Sequence, residues 1–493
     1  MTQRNKVSVS EAVEGAAACA EGVFATLPAE DRAALLEAIA TRVDALGQKL
    51  TDVAGRETHL PAGRLETERG RTVNQLRMFA ALVREGSWVD ARIDRAQPER
   101  QPMPKPDIRR MLVPIGPIVV FGASNFPLAF SVAGGDTASA LAAGCPVVCK
   151  AHPAHPQTSD LVADAIAEAI GDAGLPAGVF TLVHTDHHAE NLDLVRHPAV
   201  RGVGFTGSHK AGRALFDAAN EREQPIPVFA EMGSVNPVVL LPGAVRERGD
   251  KIADGLHQSF TMGVGQFCTK PGIVLTLKGE ATSRLIDRLA ESVAKTPTGA
   301  MLHEQIAEQY VKSLGGLRAM AGVQTVAVVE AGEAGAGGAA VLRTEASEVI
   351  ANAALLEECF GPTTLVIEAE DMDELERLIA TIPGQLTATI HMADADQADA
   401  ARLLPKLQQR AGRVLFNGFP TGVDVCSSMQ HGGPYPATTD SRFTSVGTAA
   451  IYRWARPVCY QDAPASLLPP PLQDDNPCGI WRTIDGTFTK DAV

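Results

Sequence analysis

Cys268 lies in a context that is unusual for a structural thiol. In the segment MGVGQFCTKPG, residues 262–272, it is surrounded by Gly263, Gly265 and Pro271, which are typical of a loop. A cysteine that packs in a core usually lies inside an apolar run. A small, polarizable side chain on a loop is either incidental or a nucleophile, because the thiolate is the reactive form of cysteine. The elements around this loop must decide between the two.

The length and charge of the chain exclude several classes of protein. Its 493 residues are too many for one hydrophobic core, so we expect two or three domains. The net charge of −14 argues against nucleic acid or an anionic membrane as a partner, because phosphate binding needs basic patches. No apolar stretch reaches the roughly 18–20 residues of a membrane helix. The N-terminal segment carries Glu11 and Glu14 and lacks an apolar run, so we expect no signal peptide and a cytoplasmic location.

The eight cysteines favour reduced thiols over disulfides or metal ligands. They are scattered along a long chain that shows no secretion signal. Cys145 and Cys149 share a segment, but no Cys or His pair elsewhere completes a zinc-binding spacing. We therefore expect no metal site.

The hydrophobic pattern changes near residue 112. Before it, apolar residues recur three or four apart, which predicts amphipathic helices, and the proline-rich segment 94–110 predicts an extended connection. After it, short apolar runs alternate with helical segments such as 158–174, which predicts a parallel α/β sheet covered by helices on both faces. Similar runs from about residue 230 predict a second α/β domain. The first four predicted strands are 117–122, 146–150, 179–184 and 202–207.

Two strand ends have features of a nucleotide site. Gly207 permits a tight turn after the fourth strand, and Ser208 is a good N-cap for the helix that follows. Such a helix N-terminus attracts phosphate, although a plain capped turn would have the same residues. Lys150 ends another strand, where it would either be solvated or contact a ribose or phosphate. The formal G-x-G-x-x-G of residues 202–207 is not the dinucleotide fingerprint, because its first two glycines lie inside the strand.

Five segments together resemble the aldehyde dehydrogenase superfamily in order and spacing. Two further stretches, 122–159 and HGGPYPATTDSRFTSVG (431–447), are most similar to 2-oxoglutarate semialdehyde (2,5-dioxovalerate) dehydrogenases, and a group of NADP-dependent fatty aldehyde dehydrogenases is nearly as similar. The resemblance covers residues 112 to about 460. The five segments are FGASNFP (121–127), FTGSHKAG (205–212), AEMGSVNP (230–237), GQFCTKPG (265–272) and EECFGP (357–362).

The resemblance implies an α/β fold of two doubly wound parallel-sheet domains with a small bridging β ribbon. It also implies a homodimer or homotetramer. On this basis we expect a dinucleotide-binding domain over 1–95 and 112–230, a catalytic domain over 231–446, and bridging segments over 96–111 and 447–493.

The resemblance also assigns three catalytic residues. Cys268 matches the nucleophile, whose attack on an aldehyde makes a thiohemiacetal that can expel hydride to nicotinamide. Asn125 matches the oxyanion donor, which would act with the backbone N–H of Cys268. Glu231 matches the general base that activates water to release the acid from the thioester.

Cofactor residues follow from the same comparison. Glu358 matches the residue that holds the nicotinamide ribose, and Phe360 packs against the cofactor, beside Lys150, Gly207 and Ser208 at the strand ends. Many NAD-preferring relatives have a carboxylate three residues after the lysine, but here that residue is Pro153. Losing this carboxylate removes repulsion of a 2′-phosphate, which Lys150, His152 or the pair 187–188 would contact. We therefore favour NADP, with NAD still accepted.

The substrate site is less clearly encoded. Phe126 and Phe267 are expected to wall the aldehyde tunnel, and Lys270 and Arg442 are candidates for a cation that binds a substrate carboxylate. The leading hypothesis is NAD(P)-dependent oxidation of 2-oxoglutarate semialdehyde to 2-oxoglutarate. The alternatives are oxidation of medium or long aliphatic aldehydes, a nucleotide-independent thiol esterase and a catalytically silent scaffold. An esterase needs a histidine near Cys268, and the flanking motifs contain none.

Overall fold

The computed structural model describes residues 7–185 and 187–493. The first six residues of the predicted domain over 1–95, which also begin the segment expected to lack a signal peptide, lie outside the described residues. Among the described helices, none combines the length and apolarity needed to cross a bilayer.

Four helices precede the first sheet. The buried stripe of the second helix, which includes Leu35, Leu36 and Ile39, packs against Val73 and Leu76 of the fourth in one hydrophobic core. These residues recur three or four apart, as predicted. The chain continues from the fourth helix into two strands. The elements are α1 (Val9–Glu21), α2 (Ala29–Ala45), α3 (Gly47–Thr58), α4 (Ala62–Glu85), β1 (Arg92–Asp94) and β2 (Ile108–Pro114).

The next part of the chain alternates strands and helices and forms a parallel five-stranded sheet. The strand order is β5-β4-β3-β6-β7, and every neighbouring pair is parallel. The carboxyl ends of its strands therefore meet at one edge. The elements are β3 (Ile118–Phe121), α5 (Gly135–Ala143), β4 (Val147–Lys150), α6 (Pro156–Asp172), β5 (Phe180–Val183), α7 (His188–Arg196), β6 (Gly202–Thr206), α8 (His209–Asn220) and β7 (Val228–Glu231).

A second sheet of seven strands follows in the order β11-β13-β14-β9-β8-β15-β16. Its neighbours are parallel except for the antiparallel pair β11–β13. The elements are β8 (Val238–Leu240), α9 (Pro242–Thr261), β9 (Ile273–Leu277), α10 (Glu280–Ala294), β10 (Gly299–Ala300), α11 (Glu304–Arg318), β11 (Gln324–Val328), β12 (Ala336–Gly337), β13 (Ala340–Glu345), α12 (Ala346–Ala351), β14 (Thr363–Ala369), α13 (Met372–Thr381), β15 (Gln385–His391), α14 (Gln397–Gln408) and β16 (Ala411–Phe416).

A third sheet joins the middle of the chain to its C-terminal part. Its strand order is β17-β2-β1-β18-β19, completed by β17 (Ala455–Gln461), β18 (Arg482–Ile484) and β19 (Thr487–Thr489). Residues 447–460 do not form one strand, because Thr448–Trp454 is a 3₁₀ helix. The reason is Trp454, which is buried and donates from Nε1 to Ser139 Oγ at 2.8 Å, so the chain turns inward before β17 begins.

Sheet topology brings distant residues to one cleft. Registers Phe121↔Lys150 and Thr206↔Glu231 show that β3, β4, β6 and β7 end at the same edge of the first sheet. Strands β9 and β14 are parallel neighbours in the second sheet, so the loops before them, which carry Cys268 and Glu358, lie side by side. Glu231 is the last residue of the first sheet, although the predicted boundary places it in the catalytic domain.

Candidate active site

The loop that presents Cys268 has an unusual backbone. Gly263, Val264 and Gly265 have φ values of 57°, 56° and 66°, so three successive residues are left-handed. Glycine adopts this conformation readily, but valine does so at a cost of about 1–3 kcal/mol. A side chain at Gly265 would place its Cβ 2.2 Å from the carbonyl carbon of Gly361, so only glycine permits this close approach. The loop is therefore built to hold one conformation.

Two asparagine side chains fix this loop from opposite sides. Asn125 Nδ2 donates to the carbonyl of Gln266 at 3.1 Å, and Asn236 Nδ2 donates to the carbonyl of Cys268 at 2.8 Å. Asn125 follows β3 in the first sheet, whereas Asn236 precedes β8 in the second. Cys268 is half-buried as a residue, unlike the buried Cys145 and Cys149. The structure thus brings Asn125 and Cys268 together, as predicted.

Cys268 faces a buried histidine and a buried carboxylate. Its Sγ lies 3.5 Å from His431 Nε2, which in turn lies 3.4 Å from Glu231 Oε1. The other oxygen of Glu231 accepts a hydrogen bond from Ser445 Oγ at 2.6 Å. The ligand atoms of Cys268, His431 and Glu231 lie within 4.8 Å of one another, and they are types that can bind metal as well as exchange protons. The expected absence of a metal stays a prediction.

The electrostatic environment opposes a free thiolate. Burial raises the pKa of Cys268 well above its ordinary value, and the carboxylates of Glu231 and Glu358 raise it further. The guanidinium groups of Arg71 and Arg413 act in the opposite direction. Burial lowers the pKa of His431, while the Glu231 carboxylate opposes this shift. A neutral imidazole therefore stands ready to take a proton beside a thiol that does not lose one unaided.

His431 is the residue that the sequence analysis missed. We expected no histidine near Cys268 because the motifs around it contain none, and the structure shows that this expectation was wrong. The segment that follows His431 adds to the edge strand β7, where Met232 N donates to Ala437 O at 2.8 Å and Thr439 N donates to Ala230 O at 3.1 Å. This long-range pairing carries His431 beside Glu231. The available signal was the HGGPYPAT stretch, which we had used only for the resemblance.

The predicted phosphate site has the expected local geometry. Ser208 is the N-cap of α8, and its Oγ accepts from Ala211 N at 3.3 Å. Gly207 and Ser208 are exposed at the edge where Lys150 ends β4. An open helix N-terminus at the carboxyl edge of a parallel sheet fits the pyrophosphate of a dinucleotide.

Glu358 and Phe360 lie in the loop before β14, next to the Cys268 loop. A Cβ at Gly233 would lie 2.4 Å from Glu358 Oε2, so the glycine allows this carboxylate to approach the backbone. Burial raises the pKa of Glu358 to about 7, although the Lys270 ammonium and a hydrogen bond from the Ser234 amide oppose the shift. A carboxylate that accepts from ribose hydroxyls fits this position, and its affinity for them would follow its charge.

The structure separates the four predicted substrate residues into two pairs. Phe126 and Phe267 meet edge to face with ring centroids 5.6 Å apart, directly before the nucleophile. Lys270 is buried and donates to the carbonyls of Cys359 and Thr363, both at 2.9 Å. The chain turns inward after Cys268, so the Lys270 ammonium binds the carbonyls of the loop that carries Glu358 and does not face a substrate.

Arg442 is also an unsuitable partner for a substrate. It is exposed and paired with Asp440 through a contact of 2.5 Å. The structure thus supports neither Lys270 nor Arg442 as the cation for a substrate carboxylate.

The fold and the sequence profile together define the class of protein. The carboxyl edge of one parallel sheet faces the Cys268 loop of another, and the sequence profile described as "Aldehyde dehydrogenase family" matches residues 1–437. The chain belongs to the aldehyde dehydrogenase family, and it is an enzyme that uses a nicotinamide cofactor.

Curated relatives narrow the comparison. The chain is 52% identical over 460 residues to "Alpha-ketoglutaric semialdehyde dehydrogenase 2" of Azospirillum brasilense, covering 93% of this chain and 88% of that protein. It is 46% identical over 463 residues to alpha-ketoglutaric semialdehyde dehydrogenase of Acinetobacter baylyi, covering 94% and 88%. A crystal structure of a betaine aldehyde dehydrogenase double mutant from Staphylococcus aureus, in complex with NAD⁺, matches with a TM-score of 0.77 at 19% identity, covering 92% and 89%. The predicted fold class is confirmed.

Proposed function

We propose that this chain oxidises 2-oxoglutarate semialdehyde to 2-oxoglutarate through a cysteine-bound intermediate. The observation that carries the proposal is the convergence of Cys268, His431 and Glu231 within 4.8 Å, with Asn125 hydrogen-bonded to the Cys268 loop, in a chain 52% identical to a semialdehyde dehydrogenase. These groups suit addition of a thiol to an aldehyde and hydrolysis of the resulting thioester.

Acylation begins with proton transfer from Cys268. His431 Nε2 accepts the thiol proton, and the imidazolium that forms is stabilised by the Glu231 carboxylate 3.4 Å away. The thiolate adds to the aldehyde carbon, and Asn125 Nδ2 with the Cys268 N–H stabilises the alkoxide. A bound nicotinamide ring supplies the hydride acceptor.

Deacylation uses Glu231. Ser445 holds its Oε2, while Oε1 accepts no hydrogen bond from the described residues and is free to take a proton from water. The water attacks the thioester carbon, the acid leaves, and Cys268 recovers its proton from His431. The His431 imidazole therefore handles the thiol proton, and the Glu231 carboxylate handles the proton of the attacking water.

The cofactor proposal is a nicotinamide dinucleotide held by Lys150, Gly207, Ser208, Glu358 and Phe360, with NADP favoured over NAD. The support for this preference is Pro153, which stands where a carboxylate would repel a 2′-phosphate, and His152 would supply a neutral donor beside it. Its Nδ1 accepts from Ala154 N at 3.1 Å, which leaves Nε2–H as a donor on the neutral ring. Burial lowers the pKa of His152 well below its ordinary value, so it would contact a 2′-phosphate as a neutral donor.

We also propose the predicted domain division and a homodimer or homotetramer in the cytoplasm. The bridging sheet supports association, because large apolar side chains are exposed on and beside it. Phe488 is 65% exposed and stacks on Trp481 at 4.9 Å, and Leu467 is 72% exposed. Exposed apolar area of this kind is typical of an interface.

The test of the substrate is a comparison of kcat/KM for 2-oxoglutarate semialdehyde, succinate semialdehyde, glutaraldehyde and hexanal, each with NAD⁺ and NADP⁺. We expect the acid-ended aldehydes to exceed hexanal, and Cys268→Ser to abolish turnover of all four. A tenfold preference for hexanal would support instead the aliphatic aldehyde dehydrogenase alternative.

The position of His431 favours a second candidate function. Cys268, His431 and Glu231 have the nucleophile, base and carboxylate order of a thiol hydrolase, so the site has the groups to cleave activated esters without nucleotide. Release of p-nitrophenol from p-nitrophenyl acetate in the absence of nucleotide measures this activity. If esterase kcat/KM exceeds that of every aldehyde oxidation tested, the proposal that semialdehyde oxidation is the main reaction of this site is wrong.

A further inference from the structure

Helix α4 presents one charged face to the substrate side of the active site. Arg64, Glu68 and Arg71 are spaced to share that face. Glu68 is buried and accepts from the N–H groups of Leu128 and Ala129, both at 2.9 Å, so it docks the helix against the loop that carries Asn125. This docking places the Arg71 guanidinium carbon 5.8 Å from the ring centroid of Phe126 and 5.3 Å from that of Phe130.

Arg71 lies on the same wall as the nucleophile. Phe130, against which it packs, has its ring centroid 6.3 Å from that of His431, and His431 Nε2 is 3.5 Å from Cys268 Sγ. The groups that act electrostatically on Arg71 include Cys268, Glu68 and Glu231. The Phe130 ring therefore contacts both this cation and the imidazole beside the thiol.

The charge of Arg71 has no partner among the described residues. Its Nε and Nη2 are buried and form no hydrogen bond, and burial lowers its pKa. Two other arginines near this site, Arg64 and Arg413, do have hydrogen-bond partners. Arg64 is paired with Glu68 at 2.6 Å. Arg413 donates its two Nη groups to the carbonyls of Gly422 and Pro420.

An unpaired buried guanidinium is costly unless an anion joins it. Its two neighbouring donors match a carboxylate bidentately, and the aromatic rings around it exclude water. In a five-carbon semialdehyde the aldehyde and carboxyl carbons are about 5 Å apart when extended, since four carbon–carbon bonds join them. A substrate of that length places its anion within the same aromatic surroundings as the attacked carbon, where Phe130 contacts both Arg71 and His431.

We propose that Arg71 binds the terminal carboxylate of the substrate and gives the site its preference for acid-ended aldehydes over aliphatic ones. This inference rests on the proposed function, and it identifies the side chain that makes the enzyme prefer a substrate with a terminal carboxylate. Arg71 takes the role for which Lys270 and Arg442 were considered.

The test compares wild type with Arg71→Gln, Arg71→Met and Arg71→Lys. We expect the Gln and Met variants to lose about 10²-fold or more in kcat/KM for 2-oxoglutarate semialdehyde, chiefly through KM, while hexanal loses less than about tenfold, because the Arg71 charge also acts against the raised pKa of Cys268. Arg71→Lys keeps the charge but not the fork, and should recover part of the loss. Arg77→Gln, on an exposed position of the same helix, is the matched control and should behave as wild type.

A second measurement separates carboxylate binding from thiol activation. Glutarate, a dicarboxylate that cannot be oxidised here, should slow alkylation of Cys268 by iodoacetamide in wild type and not in Arg71→Gln, whose uninhibited rate stays within tenfold. If wild type prefers acid-ended aldehydes and Arg71→Gln and Arg71→Met keep that preference, the inference is wrong and the proposed function stands. If wild type itself prefers hexanal, the proposed function fails first.

Discussion

Replacing His431 tests whether it forms the thiolate. His431 Nε2 and Cys268 Sγ are 3.5 Å apart, so the imidazolium–thiolate pair gains about 4–5 kcal/mol at an effective dielectric constant of about 20. That energy equals about three pKa units. Burial and two carboxylates already hold the thiol pKa well above its ordinary value. Each pKa unit of stabilisation that the thiolate loses with the imidazolium therefore lowers the thiolate fraction tenfold. We expect His431→Asn to slow thiolate chemistry by about 10²–10³-fold.

Alkylation by iodoacetamide between pH 6 and 9 measures this step without cofactor or substrate. Wild type should react at a rate that varies little across the range, because the proton stays within the pair. His431→Asn should react slowly near pH 7 and approach wild type only at the highest pH. His431→Phe keeps the ring contact with Phe130, which is 6.3 Å from the His431 ring, and should show the same loss.

Glu231→Gln is the matched comparison for this experiment. The Glu231 carboxylate raises the pKa of both Cys268 and His431, and these effects oppose each other in thiolate formation. We expect alkylation to change far less than in His431→Asn, whereas turnover stops after one equivalent of reduced cofactor per site because deacylation is blocked. Alkylation of His431→Asn within threefold of wild type at pH 7 would refute the assignment of the base.

Two further predictions concern neighbouring groups. Asn125→Ala should slow the first turnover by about 10²–10³-fold through loss of the oxyanion donor, while the rate of Cys268 alkylation stays within threefold. Rapid-mixing kinetics measure the first turnover. Equal losses in turnover and in alkylation would mean that Asn125 only holds the loop. Burial raises the pKa of Glu358 to about 7, above its unfolded value near 4.5, so the folded state loses stability as pH rises between these values. At pH 8, Glu358→Gln should therefore raise Tm relative to wild type by the equivalent of up to about 3 kcal/mol, whereas at pH 5 the two proteins should have nearly the same Tm. The same variant should bind the cofactor more weakly in a fluorescence titration. An equal Tm difference at both pH values would contradict this account.

The local sequence was sufficient to predict the conformation of a residue whose contacts are made within its own segment. The Gly-rich loop around Cys268 is left-handed at three positions because two of them are glycine, and Ser208 caps α8 because its side chain reaches an N–H three residues ahead. The alternation of apolar runs and helices also predicted a parallel sheet whose strand ends gather at one edge. The pairing of Asn125 with the Cys268 loop is not local, and we expected it only from the family resemblance of the two motifs.

The partners of these residues depend on contacts between segments far apart in the chain. His431 reaches Cys268, 163 residues earlier, because residues 437–439 pair with strand β7. Arg71 reaches the rings of Phe126 and Phe130 because Glu68 docks helix α4 on backbone amides some 60 positions later. Lys270 is two residues from the nucleophile, yet the turn of the chain buries its ammonium against the carbonyls of Cys359 and Thr363. The sequence alone was enough to single out Cys268 by its motif and to predict its loop and the parallel sheets, because local residue types set a loop or a strand. The tertiary structure alone decided which base, which cation and which buried charge face that nucleophile, because those contacts form only when separate elements pack.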